Sequence, residues 1–251
     1  MHTEQNDRAQ WLQGPLAQCS LPPVAVRSPY RLVLLGAPGV GKGTQAELLS
    51  HHLGACHLST GDVFRTAGSR CVCDQSPAML AAQEYMRRGA LVPDSTVWDI
   101  VRERGACLRC GGGFILDGFP RTLAQAEELK HYMESEELSL GAVIDYELPL
   151  EEIVQRLSGR RICAKCRAVF HAISRPSRQE GLCDHCGGHL YQREDDRPES
   201  IVVRMNAYTQ STAPLIRFYE NLGLLMSITA NGSPDEIFER TLRALDAVAA
   251  H

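Results

Sequence analysis

The sequence predicts an α/β fold with a five-stranded parallel sheet flanked by helices on both faces, and three observations carry that prediction. Arg31-Leu32-Val33-Leu34-Leu35 is a near-continuous apolar run of the kind a strand shows when both its faces are buried, and it runs into Gly36. Downstream, short β-prone runs alternate with stretches of helical period as far as the C-terminus, the pattern of parallel strands joined by crossover helices. The chain has 251 residues, enough for one good core, and a single segment breaks the alternation, an insertion between Arg161 and Arg193 that carries four cysteines.

Residues 1–29 come first. They contain Pro15, Pro22, Pro23 and Pro29, lack a basic stretch followed by an apolar one, and carry Glu4 and Asp7, so they read neither as a secretion signal nor as a transit peptide. They are expected to form a flexible extension that does not join the fold, with covering a surface or contacting a partner as the alternative. Without a secretion signal, the ten cysteines are expected to be reduced thiols or metal ligands.

After the first strand, a helix from Lys42 to about Leu53 packs back on the sheet and Cys56-His57-Leu58 makes a second strand, closing a βαβ unit. Helices at about Gly61–Gly68, Ala78–Arg88 and Ser95–Arg104 precede a third strand, Phe114–Asp117, which ends in Gly118. Leu123–Glu136 reads as a helix, Ala142–Tyr146 as the fourth strand and Leu150–Leu157 as a helix. One long helix, Ile201–Asn221, follows the insertion, then a fifth strand, Leu225–Thr229, and a closing helix, Pro234–Val248.

Composition narrows the partners. Lys and Arg number 26 against 30 Asp and Glu, a net charge of −4, which does not suit a surface built to coat nucleic acid. No run approaches the roughly 18 apolar residues of a spanning helix, so neither nucleic acid nor a membrane is expected as a partner.

Four motifs carry chemistry. Gly36-Ala37-Pro38-Gly39-Val40-Gly41-Lys42-Gly43-Thr44 lies between a strand and a helix, the context of a phosphate-binding loop: glycines turn successive N–H groups toward a polyphosphate, the helix start adds positive charge, and Lys42 reaches the terminal phosphates. The alternative is a glycine-rich turn. Ser59-Thr60-Gly61-Asp62 with Arg65 follows the second strand, at the sheet edge where α/β folds bind ligands, although Thr60 or Asp62 also fits a plain helix cap. Asp117-Gly118-Phe119-Pro120-Arg121-Thr122, with Gln125 one turn on, puts a carboxylate where it would hold Mg²⁺ and an arginine where it would grip a phosphate. Cys163-x2-Cys166 and Cys183-x2-Cys186 supply two knuckles for a closed, structural Zn²⁺ site, with His171, His185 and His189 nearby as surface residues. An insertion this small lacks an adequate core, and metal binding supplies folding energy. A further pair, Cys107 and Cys110, is expected to stay apart from Cys71 and Cys73 at the opposite end of the sheet.

The strings GAPGVGKGT, followed by Gln45, and DGFPR resemble the adenylate kinase family of nucleoside-monophosphate kinases, in its long-lid, zinc-binding form, over about Tyr30 to Ala250. The resemblance implies a P-loop kinase with an AMP-binding arm over 59–92, a zinc-binding lid over 159–196, and a core from 30–58, 93–158 and 197–251. It implies a cytoplasmic monomer that transfers a phosphoryl group from Mg-ATP to AMP, giving two ADP beneath a closing lid. ATP would be held by Gly39, Val40, Gly41, Lys42, Gly43, Thr44, Arg156 and Arg160, with Arg156 stacked on the donor adenine. AMP would be held by Thr60, Arg65, Gly118, Arg121, Gln125, Arg193 and Arg204, with Gln125 reading adenine. Met86 and Val92, with Gly89 and Leu91, would wall the AMP base, or serve as core. Lys42, Asp117, Arg121, Arg160, Arg193 and Arg204 would be catalytic; surface pairing with acidic neighbours is the alternative for any one arginine. GTP as donor, another nucleotide as acceptor, or a nucleic-acid-binding ATP switch with a zinc ribbon are the rival readings.

Overall fold

The computed structural model describes residue 11 and residues 29–67 and 77–249. Its centre is a five-stranded parallel sheet in the order β2-β3-β1-β4-β8, formed by Tyr30–Gly36 (β1), Cys56–Ser59 (β2), Gly113–Asp117 (β3), Ala142–Glu147 (β4) and Leu225–Thr229 (β8). β1 lies in the middle, and its run from Leu32 to Leu35 is buried on both faces. Leu32 and Leu34 enter one buried apolar cluster with Leu49, Leu157 and Ile237, while Val33 and Leu35 enter another with Leu116, Trp98 and Leu129. The twofold alternation of a strand thus feeds two cores, one on each face. Truncating such a residue, Leu34→Ala for instance, costs about 2–5 kcal/mol.

Helices Lys42–Leu53 (α1), Thr60–Ala67 (α2), Pro77–Arg87 (α3), Asp94–Glu103 (α4), Gly105–Leu108 (α5), Leu123–Ser135 (α6) and Leu150–Gly159 (α7) connect the strands. α1 ends at Gly54, whose left-handed backbone (φ +67) lets its N–H close on Ser50 O. The insertion is a separate antiparallel sheet, β6-β5-β7, of Arg160–Cys163 (β5), Val169–His171 (β6) and Leu190–Tyr191 (β7). Its buried cluster contains Cys163, Phe170 and Cys183.

Two expectations differ from the structure. The long helix over 201–221 is three pieces: Pro198–Ala207 (α8), a π-turn at Tyr208–Thr212, and Pro214–Asn221 (α9). Pro214 has no N–H to give to the preceding turn, and Ala213 N instead reaches back five residues to Tyr208 O at 2.8 Å. The apolar period survives such a bulge, so the sequence hides it. The second difference concerns the extension before β1, expected to stay off the fold. Trp11, its one described residue before Pro29, is 2 % exposed and belongs to the core cluster of β1, β2 and α4. A single indole in a polar, proline-bearing stretch leaves no periodic signal. The helix Pro234–Ala249 (α10) closes the chain as expected.

Cys71 and Cys73 lie outside the described residues. Cys110, at the far end of the sheet from the strand ends that carry the motifs, places its Sγ 3.4 Å from Cys56 at the start of β2, a pairing between distant segments that spacing alone does not reveal. Among the described residues no helix is long and apolar enough to cross a membrane.

Candidate active site and metal centre

The carboxyl ends of β1, β2 and β3 open into a cavity of about 980 Å³, bounded on its other sides by α7, the inserted sheet and α8. Register explains the convergence: Asp117 lies level with Leu34 on one side and with Ser59 on the other, so the segments leaving all three strands meet at one edge.

The glycine loop follows β1. Gly36, Gly39 and Gly41 have φ of +128, +91 and +105, and a Cβ added to Gly36 would stand 2.6 Å from Tyr146 O, so the loop's path requires glycine there. Lys42 opens α1, and its Nζ donates to the carbonyls of Gly36 (2.6 Å) and Ala37 (2.9 Å). Burial pulls its pKa down to about 8, with Asp117 opposing that shift. Val40, Gly43 and Thr44 line the cavity beside it. Arg156 reaches across from α7, donating to Val40 O (3.2 Å) and Ala230 O (2.9 Å), and so lies over the loop.

The second strand delivers Ser59, whose Oγ accepts from Asp62 N at 3.2 Å and caps α2. The cap is therefore Ser59, and Thr60 is released to donate to Gly118 O at 3.0 Å. Arg65 pairs with Asp62, Nη2 to Oδ1 at 2.7 Å; burial is the largest influence and opposes its charge, but Asp62, Asp195 and Asp117 together raise its pKa. The third strand delivers Asp117, which meets the buried His57 at 3.4 Å. Burial would raise the Asp117 pKa, yet the His57 contact and Lys42 hold it below the usual carboxylate range.

Arg121 is fixed at three points. Its Nε donates to Gly118 O (2.8 Å), its N–H donates to Gln125 Oε1 (2.8 Å), and its carbonyl accepts from Thr212 Oγ1 (2.9 Å) on the π-turn. Burial, then repulsion from Arg204, lowers its pKa to about 10. Gln125 itself is buried and does not line the cavity; its Nε2 donates to Asp94 Oδ1 at 2.7 Å, and Thr122 Oγ1 donates to the other oxygen of that carboxylate at 2.8 Å.

Arginines of the inserted sheet, of the segment that follows it and of α8 converge at the opposite wall. Arg160 forms a two-pronged pair with the fully buried Asp196, its Nε at 2.7 Å and its Nη2 on the second oxygen. Arg204, from α8, bridges Asp195 Oδ2 and Asp196 Oδ1, each at 3.1 Å. Arg193 lines the cavity with a buried Nε that has no hydrogen-bond partner among the described residues, and burial, then Arg65 and Arg160, pushes its pKa down to about 9. Buried guanidiniums crowded together, one with an unmet donor, make a site that gains from binding phosphate oxygens.

Thr60, Met86 and Val92 lie off the cavity wall; Val92 belongs to the apolar core and Met86 packs against it, while Gly89 and Leu91 do line the cavity. His57, Asp94, Tyr208 and Thr212 were missed by sequence reasoning. His57 sits in a strand run where histidine reads as filler, Tyr208 joins the cavity wall from the π-turn that the sequence hides, and Asp94 and Thr212 act through contacts between distant segments.

In the inserted segment, the sulfurs of Cys163, Cys166, Cys183 and Cys186 lie within 4.8 Å of one another, with Cys163 to Cys186 and Cys166 to Cys183 both at 3.5 Å. Bonds of ~2.3 Å to a tetrahedral Zn²⁺ put sulfurs about 3.8 Å apart, so the set fits a closed zinc site with no open position. Lys165 N and Cys166 N point at Cys163 Sγ (3.4 and 3.5 Å). Against the effect of burial, these N–H groups draw its pKa down to about 7. His171 makes a local turn instead, accepting from Ile173 N and Ser174 N at 3.1 Å.

A family model described as adenylate kinase matches residues 34–224. The chain is 48% identical over 218 residues to an adenylate kinase of Caldicellulosiruptor saccharolyticus, covering 87% of this chain and 98% of that one. It is 45% identical over 215 residues to an adenylate kinase of Carboxydothermus hydrogenoformans, covering 86% and 99%, and 44% identical over 216 residues to one of Streptomyces avermitilis, covering 86% and 96%.

Proposed function

Because the chain belongs to the adenylate kinase family, we infer that it transfers the terminal phosphoryl group of Mg-ATP to AMP, reversibly giving two ADP. The observation that carries this reading is the cavity in which a phosphate-binding loop and the Arg65, Arg121, Arg193 and Arg204 cluster face the same space. A loop alone would bind a triphosphate; a second cluster of cations at the next strand ends supplies an acceptor phosphate with its own seat.

Each half has its residues. On the donor side, Gly39, Val40, Gly41, Gly43 and Thr44 offer the loop backbone, Lys42 turns from its own loop carbonyls to the β and γ phosphates, Arg156 covers the donor base, and Arg160 meets the phosphate chain. On the acceptor side, Arg65, Arg121, Arg193 and Arg204 take the AMP phosphate. Gly118 bounds the base pocket, backed by Thr60, whose hydroxyl holds the Gly118 carbonyl, and by Met86 and Val92. Gln125 orients Arg121 and presents adenine with its amide once the Asp94 bond exchanges. Asp117, whose carboxylate stays ionised beside Lys42, would hold Mg²⁺ bound with ATP, which supplies charge neutralisation on the phosphates.

Little covalent work falls to the protein. The attacking oxygen belongs to an ionised phosphate and needs no general base; alignment and neutralisation of the transferring oxygens are what the arginines provide. Closure of the lid, carried by α7 and the Arg160–Asp196 pair, brings Arg160 and Arg193 onto the phosphates and excludes water. The four thiols would hold Zn²⁺ for shape alone. They must remain reduced, which fits the cytoplasm, and we read the chain as a monomer.

A coupled assay over a panel of nucleoside monophosphates tests the reading: AMP should be the preferred acceptor, and faster turnover of UMP, CMP or GMP would overturn it. Lys42→Met should abolish turnover and leave the circular dichroism spectrum intact.

A further inference from the structure

Trp11 precedes the region matched by the family model, yet it is built into the acceptor side of the fold. Its indole Nε1 donates to Ser59 O at 2.9 Å, and its own carbonyl accepts from Arg104 Nε at 2.6 Å. The ring shares an apolar cluster with Val63 and Phe64 of α2, Ala82 of α3, and Trp98 and Val101 of α4.

Ser59 is the last residue of β2, the edge strand of the sheet, and the cap of α2. The next residues, Thr60 to Arg65, form the turn that faces Gly118 and pairs Arg65 with Asp62. Trp11 therefore holds the strand-to-helix junction from its core side, while the opposite side of that junction borders the cavity. An indole is well matched to this position, since its broad apolar body fills the space beneath α2 and its one N–H satisfies a carbonyl that is buried with Ser59, itself 4 % exposed. Arg104, only 7 % exposed and also bonded to Ile100 O, ties the Trp11 backbone to the end of α4, so the junction is braced against a helix of the core.

We propose that Trp11 is a positioning residue for AMP: it fixes the Ser59–Thr60 junction and the base of α2, and thereby sets affinity for the acceptor and not for the donor. The proposal rests on reading Thr60 and Arg65 as acceptor-binding residues. The donor groups are anchored elsewhere: Lys42 bonds to Gly36 O and Ala37 O, Arg156 bonds to Val40 O and Ala230 O, and the brace meets that side through the apolar cluster that Trp11 shares with Val33 and Leu35 of β1.

The test is steady-state kinetics of the full chain carrying Trp11→Ala, Trp11→Phe or Arg65→Ala, with melting temperatures alongside. Trp11→Ala should raise KM for AMP about tenfold, and Trp11→Phe, which restores bulk but cannot donate to Ser59, about threefold, with KM for Mg-ATP changing less than about twofold in both. A core residue with no positioning role would lower the melting temperature and leave the two KM values in proportion. Unchanged KM for AMP in both folded variants, or equal rises for AMP and ATP, overturns the proposal; if Trp11→Ala does not fold, Trp11→Phe decides alone. Arg65→Ala separates the two levels. Should it raise KM for AMP while the Trp11 variants do not, only the role of Trp11 falls; should it leave KM for AMP unchanged, the acceptor assignment falls with it.

Discussion

At the scale of single residues, burial governs the charges of this site. Asp145, in β4, is 1 % exposed, its Oδ1 has no hydrogen-bond partner among the described residues, and burial, with Glu147 adding to it, raises its pKa to about 6. Its folded pKa exceeds its unfolded value near 3.8, so the native state holds the extra proton between those values. Stability then falls as pH rises through that window and stays lowered above it. A shift of roughly two pH units corresponds to about 3 kcal/mol, and Asp145→Asn should recover about 1–3 kcal/mol at pH 7.5 and almost nothing near pH 4, read from urea titrations at both. Lys42 runs the other way. With its pKa drawn down to about 8 by burial, it loses its charge in the free enzyme as pH rises through that value, so kcat/KM for Mg-ATP should decline on the alkaline side with a midpoint near there. A flat profile between pH 7 and 9.5 would contradict it.

At the scale of elements, the strand, glycine loop and helix at the start of the core were legible because each link has a local cause: a strand apolar from Leu32 to Leu35, glycines where φ turns positive, a lysine at the helix start. The same holds for the zinc site, whose ligand spacing is written in the chain. The π-turn was not legible. Its effect is a one-residue change in hydrogen bonding that keeps the apolar stripe, and only Pro214 hinted at it. Yet it delivers Thr212 to the Arg121 carbonyl. Thr212→Val should therefore raise KM for AMP about threefold to tenfold, the loss of one hydrogen bond, without lowering affinity for Mg-ATP. Asp94 and Trp11 escaped for a related reason: each matters through two hydrogen bonds with residues far along the chain, and no period or motif records such contacts.

At the scale of the molecule, two bodies with different sources of stability share one active site. The five-stranded core rests on two apolar clusters, one on each face of the sheet. The lid rests on four thiols and the hydrogen-bonded sheet around them. Chelation of zinc should thus lower the melting temperature by about 5–10 °C, abolish activity, and speed amide exchange in residues 160–191 while the core strands stay protected; hydrogen-exchange mass spectrometry would register uniform deprotection if the two were one cooperative unit. The small lid core has a further consequence, for how this sequence tolerates change. Of the three buried residues in its apolar cluster, two are thiols of the metal site and the third is Phe170. Apart from those thiols, Phe170, the buried Ile162 of β5, the buried Asp196 and the arginines that face the cavity, the lid has little interior for a substitution to disturb. In a saturation library its outer positions should therefore accept replacements that the same residue types in β1 or β4 would not survive.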